Sequence, residues 1–273
     1  SILQYTPYKK EMNPEALENY LTFQYSVLPE TFFKGIYKLM PAHSITFENG
    51  EVSVKRYWEP EFEPDDNVKL EDLVDKIDNA MQDSIKKHKI SDVEVGSFLS
   101  SGVDSSYVAA CFKGDKTFTV GFDYEKYNEI DYAKALSEKI DIDNYSKLIT
   151  TDEYWDVLPT VQYHMDEPLA DPSAVALYFV SQTAAKHVKV SLSGEGADEF
   201  FGGYNIYREP FSLKPLTRLP RPVRKFLGSV ASAIPFKIKG KNYLIRGSKD
   251  VEERFIGNAF LFNEKERERL LKN

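Results

Sequence analysis

The stretch Glu94–Tyr107, reading EVGSFLSSGVDSSY, constrains this chain more than any other. It starts as an apolar run suited to a buried strand, Val95 to Leu99, and passes through the small residues Ser100, Ser101 and Gly102. A helical pattern follows, with Val103, Asp104, Ser105 and Ser106 at its start. Strand, small-residue loop and helix N-terminus in succession build an anion cradle. The unpaired N–H groups of the first turn point at the ligand, and the helix dipole favours negative charge there. The loop is not the Gly-x-x-x-x-Gly-Lys-Ser/Thr nucleotide loop, and in place of a lysine it carries an aspartate. A carboxylate beside phosphates repels them unless a divalent cation lies between, so Asp104 reads as a Mg2+ ligand.

The segments that follow alternate in period. A strand over 94–99 leads to a helix near 104–113. A strand over 116–122 leads to a helix near 129–139, and a strand over 145–149 to a helix near 152–163. A further helix near 173–186 precedes a strand over 188–192. Ahead of them, Leu73, Ile77, Met81 and Ile85 recur at helical spacing. Strands alternating with helices of this length predict an α/β fold, a doubly wound, mainly parallel sheet with helices on both faces. Such sheets bind ligands off the carboxyl ends of their strands, at a topological switch point. A second small-residue loop, Ser193-Gly194-Glu195-Gly196-Ala197-Asp198-Glu199, also falls at a strand's carboxyl end. Its glycines let main chain approach a ligand closely. Asp104, Glu195 and Asp198 together are too many acids for bare polyphosphate. Metal chelation by Asp104 and Asp198 resolves the conflict and leaves Glu195 to handle an amine or a proton. Read alone, the second loop is a helix cap whose acids complement the dipole.

Residues 1–60 are of another kind. Asn13-Pro14-Glu15 opens a short helix through Leu21, and Asn49-Gly50 joins two β-leaning runs in a hairpin. One helix and one hairpin are too little for an independent core, so the segment reads as the end of a domain whose earlier strands are absent. The acidic, proline-bearing run 59–66 reads as a boundary, with a second domain over 61–273. A net charge of −8 gives no global reason to expect nucleic acid. No apolar run is of membrane-spanning length, and the N-terminus lacks a signal peptide's pattern. The single cysteine, Cys111, fits a buried small residue in a reducing cytoplasm, and with four scattered histidines it gives no zinc pattern. Between Arg208 and Lys249 there are 11 Lys/Arg against one acid, Glu209, which reads as a solvated, locally basic surface.

The pair SSGVDSS and SLSGEGADEFFGGY resembles the synthetase domain of glutamine-dependent asparagine synthetases, members of the N-type ATP pyrophosphatases. The string HMDEPLADPSAVALY matches that family as well. So do NPEALENYLTF, FKGIYKLMPAHSITF and KRYWEP, which resemble the end of its N-terminal glutaminase domain. The resemblance implies an adenine nucleotide alpha hydrolase-like sheet and a two-step reaction. ATP adenylates the aspartate side chain, releasing pyrophosphate, and ammonia then displaces AMP to give asparagine. By the same matching, Ser100, Ser101, Gly102, Val103, Asp104, Ser105 and Ser106 would cradle the pyrophosphate, with Asp104 and Asp198 on Mg2+. Leu99, Val120 and Gly194 would hold AMP, partly through backbone groups. Ser193 would lie beside the phosphate, and Glu195 would position or deprotonate ammonia.

The match has three departures. Ser101 stands where the family pattern has a glycine, though a serine still donates its N–H. The family's N-terminal nucleophilic cysteine and most of its glutaminase domain are not in the chain, so glutamine is not an expected ammonia source here. The family's C-terminal aspartate–arginine motif, its S-x-E-x-R-x-P-F-L-D motif and its catalytic lysine are also missing. The expectation is a fragment of a longer ligase that binds MgATP and makes little or no asparagine, with a homodimer as one expectation for the full-length protein. Two other readings stay open: a related β-lactam or carbapenam synthetase, and a nucleotide-binding module without turnover.

Overall fold

The computed structural model describes residues 2–65, 67–124, 128–236, 238–256 and 259–271. Asp66, the last residue of the expected linker, lies outside them. The chain divides into two compact units, Ser1–Glu195 and Gly196–Asn273.

The first unit opens with α1 (Pro14–Phe23), started by Asn13, whose side chain accepts from the Glu15 N–H, and by Pro14 in the first turn. Ala16 and Phe32 are buried, and Tyr20 meets the Phe32 ring edge-on at 5.3 Å. The hairpin β1 (His43–Glu48) and β2 (Glu51–Arg56) pairs Ile45 with Val54 and Phe47 with Val52. Asn49 and Gly50 both take positive φ, 54° and 85°, the backbone that a two-residue hairpin turn demands. All four apolar residues of those pairs are exposed, in line with a hairpin that has no sheet of its own to cover.

After residues 59–65, without regular structure, α2 (Leu70–His88) leads into the main sheet. Its strands are β3 (Val95–Phe98), β4 (Lys116–Phe122), β5 (Asp143–Ile149) and β6 (Val190–Leu192). They are parallel and lie in the order β5-β4-β3-β6. On one face Leu99 packs with Ala109 of α3 (Val103–Phe112) and Ala133 of α4 (Ile130–Lys139). On the other, Ile149 packs with Val161 of α5 (Thr151–His164) and with Val175 and Phe179 of α6 (Ser173–Ala184). Phe118 of β4 joins Val180, Ala184 and Val188 in a neighbouring cluster. The doubly wound parallel sheet expected from the alternation is therefore present. β6 is shorter than the apolar run 188–192, because the Val188 N–H still bonds the Ala184 carbonyl at the end of α6.

The second unit is helical: α7 (Ala197–Phe201), α8 (Glu209–Thr217), α9 (Arg221–Ala233), α10 (Lys241–Gly247), α11 (Val251–Arg254) and α12 (Glu264–Leu271). Glu209, the lone acid of the basic segment, bonds both Arg246 and the buried Arg254. Among the described residues no helix is long and apolar enough to cross a membrane.

Candidate nucleotide site

From β3 the chain steps outward to β4 and β5, then returns to the far side of β3 as β6. The reversal lies between β3 and β6, which is where an open parallel sheet leaves a crevice beyond its carboxyl ends. The two small-residue loops leave those two strands. They meet at Gly194: a Cβ there would lie 2.9 Å from the main-chain carbon of Asp104 and 2.9 Å from the Ser105 nitrogen. Only a residue without a side chain allows the second loop to sit against the first turn of α3.

The first loop is held by its own serines. Ser100 N–H donates to Ser105 Oγ at 3.0 Å, and Gly102 N–H donates to Ser100 Oγ at 3.1 Å. The Ser106 hydroxyl donates to the Gly102 carbonyl at 2.7 Å. Gly102 is the N-cap of α3, in extended backbone, and no side chain caps the helix. Asp104 stands exposed in the first turn, and its carboxylate has no hydrogen bond or ion pair among the described residues. It therefore does not act as a cap. The amides of Val103, Asp104 and Ser105 precede the first intrahelical N–H, that of Ser106, which bonds the Gly102 carbonyl. They are the orphan donors that an anion would satisfy.

Leu99 is buried, and both its backbone groups serve the sheet: its N–H donates to the Phe118 carbonyl and its carbonyl accepts from the Thr119 hydroxyl. Val120 packs its side chain into the cores on the α6 face. Ser193 and Glu195 are exposed after β6. Glu129 was not singled out by the sequence, yet its Oε2 accepts the Ser101 N–H at 3.1 Å. A pairing 28 residues apart leaves no local pattern to read.

In the second unit, Gly196 at φ 90° caps α7, and Asp198 stands in that helix's first turn. Gly202 closes the helix at φ 66°. A Cβ on Gly203 would fall 1.9 Å from Asp198 Oδ1, so the second glycine of FGGY makes room for that carboxylate. The Tyr204 hydroxyl donates to Glu199 at 2.9 Å, and this bond to a carboxylate pushes the phenol up to about 12. Between the sheet's last helices, Gln162 clamps the HMDEPLADP segment through the Leu169 main chain, and the Ser173 N–H at the start of α6 donates to Asp171 Oδ1.

Asp104, an exposed carboxylate in the first turn of α3, is an oxygen ligand of the kind that Mg2+ takes; among the described residues no three His, Cys, Asp or Glu side chains gather into a metal cage. Mg2+ is commonly held by one or two carboxylates with the remaining positions taken by phosphate oxygens and water.

Comparison with known proteins decides the family. The asparagine synthase family matches residues 76–269. This chain belongs to that family. The glutamine amidotransferase domain family matches residues 1–58, so the N-terminal segment is similar to part of such a domain. Asparagine synthetase [glutamine-hydrolyzing] 1 of Bacillus subtilis (strain 168) is 44% identical over 270 residues, covering 96% of this chain and 42% of that protein. A putative asparagine synthetase of Mycobacterium tuberculosis (strain ATCC 25618 / H37Rv) is 40% identical over 96% of this chain and 41% of its own length. One from Methanocaldococcus jannaschii is 30% identical over 84% of the chain and 45% of its own length. The chain thus spans less than half the length of these relatives.

Proposed function

We propose that this chain is the nucleotide half of an ATP-dependent ligase that makes asparagine. In the first step an aspartate side-chain oxygen attacks the α-phosphorus of ATP. The bond to the bridging oxygen breaks, and pyrophosphate leaves with β-aspartyl-AMP behind it. In the second, ammonia attacks the acyl carbon, AMP leaves, and the nitrogen gives up a proton.

The unpartnered amides of Val103, Asp104 and Ser105 receive the pyrophosphate, whose charge grows as its bond breaks. By motif matching the rest of Ser100–Ser106 completes the cradle once its internal bonds, that of the Ser101 amide to Glu129 among them, are exchanged for phosphate. Bound Mg2+ supplies positive charge to offset the phosphates, with Asp104 and Asp198 as its carboxylates; their pairing rests on motif matching. Leu99, Val120 and Gly194 line the AMP moiety, Ser193 adjoins the α-phosphate, and Glu195 orients ammonia and takes its proton. Aspartate and ammonia as substrates rest on the family relationship.

The observation that carries the reading is the approach of Gly194 to Asp104 and Ser105 at the β3–β6 switch point. It supports one site built from both motif loops. The test is calorimetry with ATP and Mg2+ on wild type and Asp104→Ala. Wild type is expected to bind and the variant to lose about ten-fold in affinity, the effect of about 1.4 kcal/mol. Equal affinity in both would sink the metal role of Asp104.

A further inference from the structure

One amide of the cradle already carries a negatively charged partner. The Ser101 N–H donates to Glu129 Oε2, whereas Ser100 and Gly102 donate to serine hydroxyls within the loop. Glu129 is the residue before α4 and does not cap it. Asn128 does that work, its Oδ1 accepting the Ile130 N–H at 3.1 Å. Among the described residues the Glu129 carboxylate has no other partner than the Ser101 amide. The carboxylate makes no capping hydrogen bond to α4 and instead occupies an amide of the loop read as the pyrophosphate cradle.

We propose that Glu129 is an internal competitor for the pyrophosphate position, one that makes the cradle select metal-complexed over bare polyphosphate. The inference rests on the reading of Ser100–Ser106 as the pyrophosphate cradle. One N–H cannot serve a carboxylate and a phosphate at full strength together, and two anions at hydrogen-bond range repel. Polyphosphate must therefore displace Glu129 or lie beside it. Mg2+ lowers the ligand's charge and so lowers that cost. Bare polyphosphate meets it in full, as it meets Asp104.

The experiment titrates inorganic pyrophosphate, with and without Mg2+, into the 273-residue chain and its Glu129→Gln and Glu129→Ala variants. Glutamine keeps an acceptor for the Ser101 amide and removes only the charge, so the loop stays braced. Metal-free pyrophosphate is expected to bind Glu129→Gln about ten-fold more tightly than wild type, the low end for weakening one hydrogen bond to a charged group. The Mg2+ complex is expected to gain less, so the preference for it narrows; alanine moves in the same direction. If neither variant binds metal-free pyrophosphate more tightly than wild type, the proposal is overturned. It is overturned equally if alanine weakens binding while glutamine leaves it unchanged, since Glu129 would then only brace the loop. If wild type takes up pyrophosphate under neither condition, the cradle reading itself fails and this inference falls with it.

Discussion

A Cβ at Gly194 would press on the main chain of Asp104 and Ser105, atoms that cannot rotate aside as a flexible side chain would. Gly194→Ala has to push the loop after β6 away from α3. It is expected to cost about 1–3 kcal/mol, as overpacking at a tight contact does, and to weaken MgATP binding as well. Urea melts and calorimetry read the two effects; an alanine variant with wild-type values in both would mean that the loops do not touch in solution. At Gly203 the obstruction is the Asp198 carboxylate itself. Gly203→Ala is expected to turn that carboxylate away and to raise the Mg2+ concentration needed for ATP binding; an unchanged Mg2+ dependence would argue against Asp198 as a ligand. The sequence marked both glycines as motif members. What each one makes room for is a contact, and for Gly194 the partner lies some 90 residues away, so no local pattern held it.

Among the elements, α8, α10 and α11 hang on one acid. Glu209 is pushed up by burial, but its bonds to Arg246 and Arg254 outweigh that and hold its carboxyl below the usual range. A lowered carboxyl contributes stability above its unfolded value, about 4.5, and loses it as pH falls through the lowered folded value. Glu209→Gln leaves the Arg254 side chain, 3% exposed, buried without its counter-charge. The expected loss is about 3–5 kcal/mol, with the acid-side fall in stability flattened; a melt series over pH 3–7 checks both, using wild type as reference (roughly the carboxylate range). In this basic segment Pro210 and Pro222 open α8 and α9 in their first turns, and Pro215 lies inside α8. Proline lacks only a donor that a first turn does not use, so Pro210 and Pro222 cost their helices nothing. The capping box of α5, Thr150 with Glu153, is by contrast entirely local. Thr150→Ala is expected to cost about 1 kcal/mol, measured by thermal melts; no change would mean that the box does not hold the helix end.

At the scale of the whole molecule, the chemistry depends on strand order. Residues 1–195 hold both loops up to Glu195, while Asp198 lies in the second compact unit, past a division that falls inside the motif SGEGADE. The chain covers under half of its Bacillus relative, which makes adenylation by these 273 residues a direct question. Aspartate-dependent exchange of pyrophosphate into ATP is expected to be absent or weak even where MgATP binds; robust exchange would show that this chain alone carries the aspartate pocket. By itself the sequence determined the alternation of strand and helix, the two small-residue loops, the hairpin turn and the family, because each is written in residues close together along the chain. Tertiary structure alone decided that β6 returns beside β3, that Gly194 meets Asp104, and that Glu129 reaches the Ser101 amide. Those pairings join distant segments through main-chain hydrogen bonds and close packing, which depend on where the backbone lies and not on any spacing of side chains.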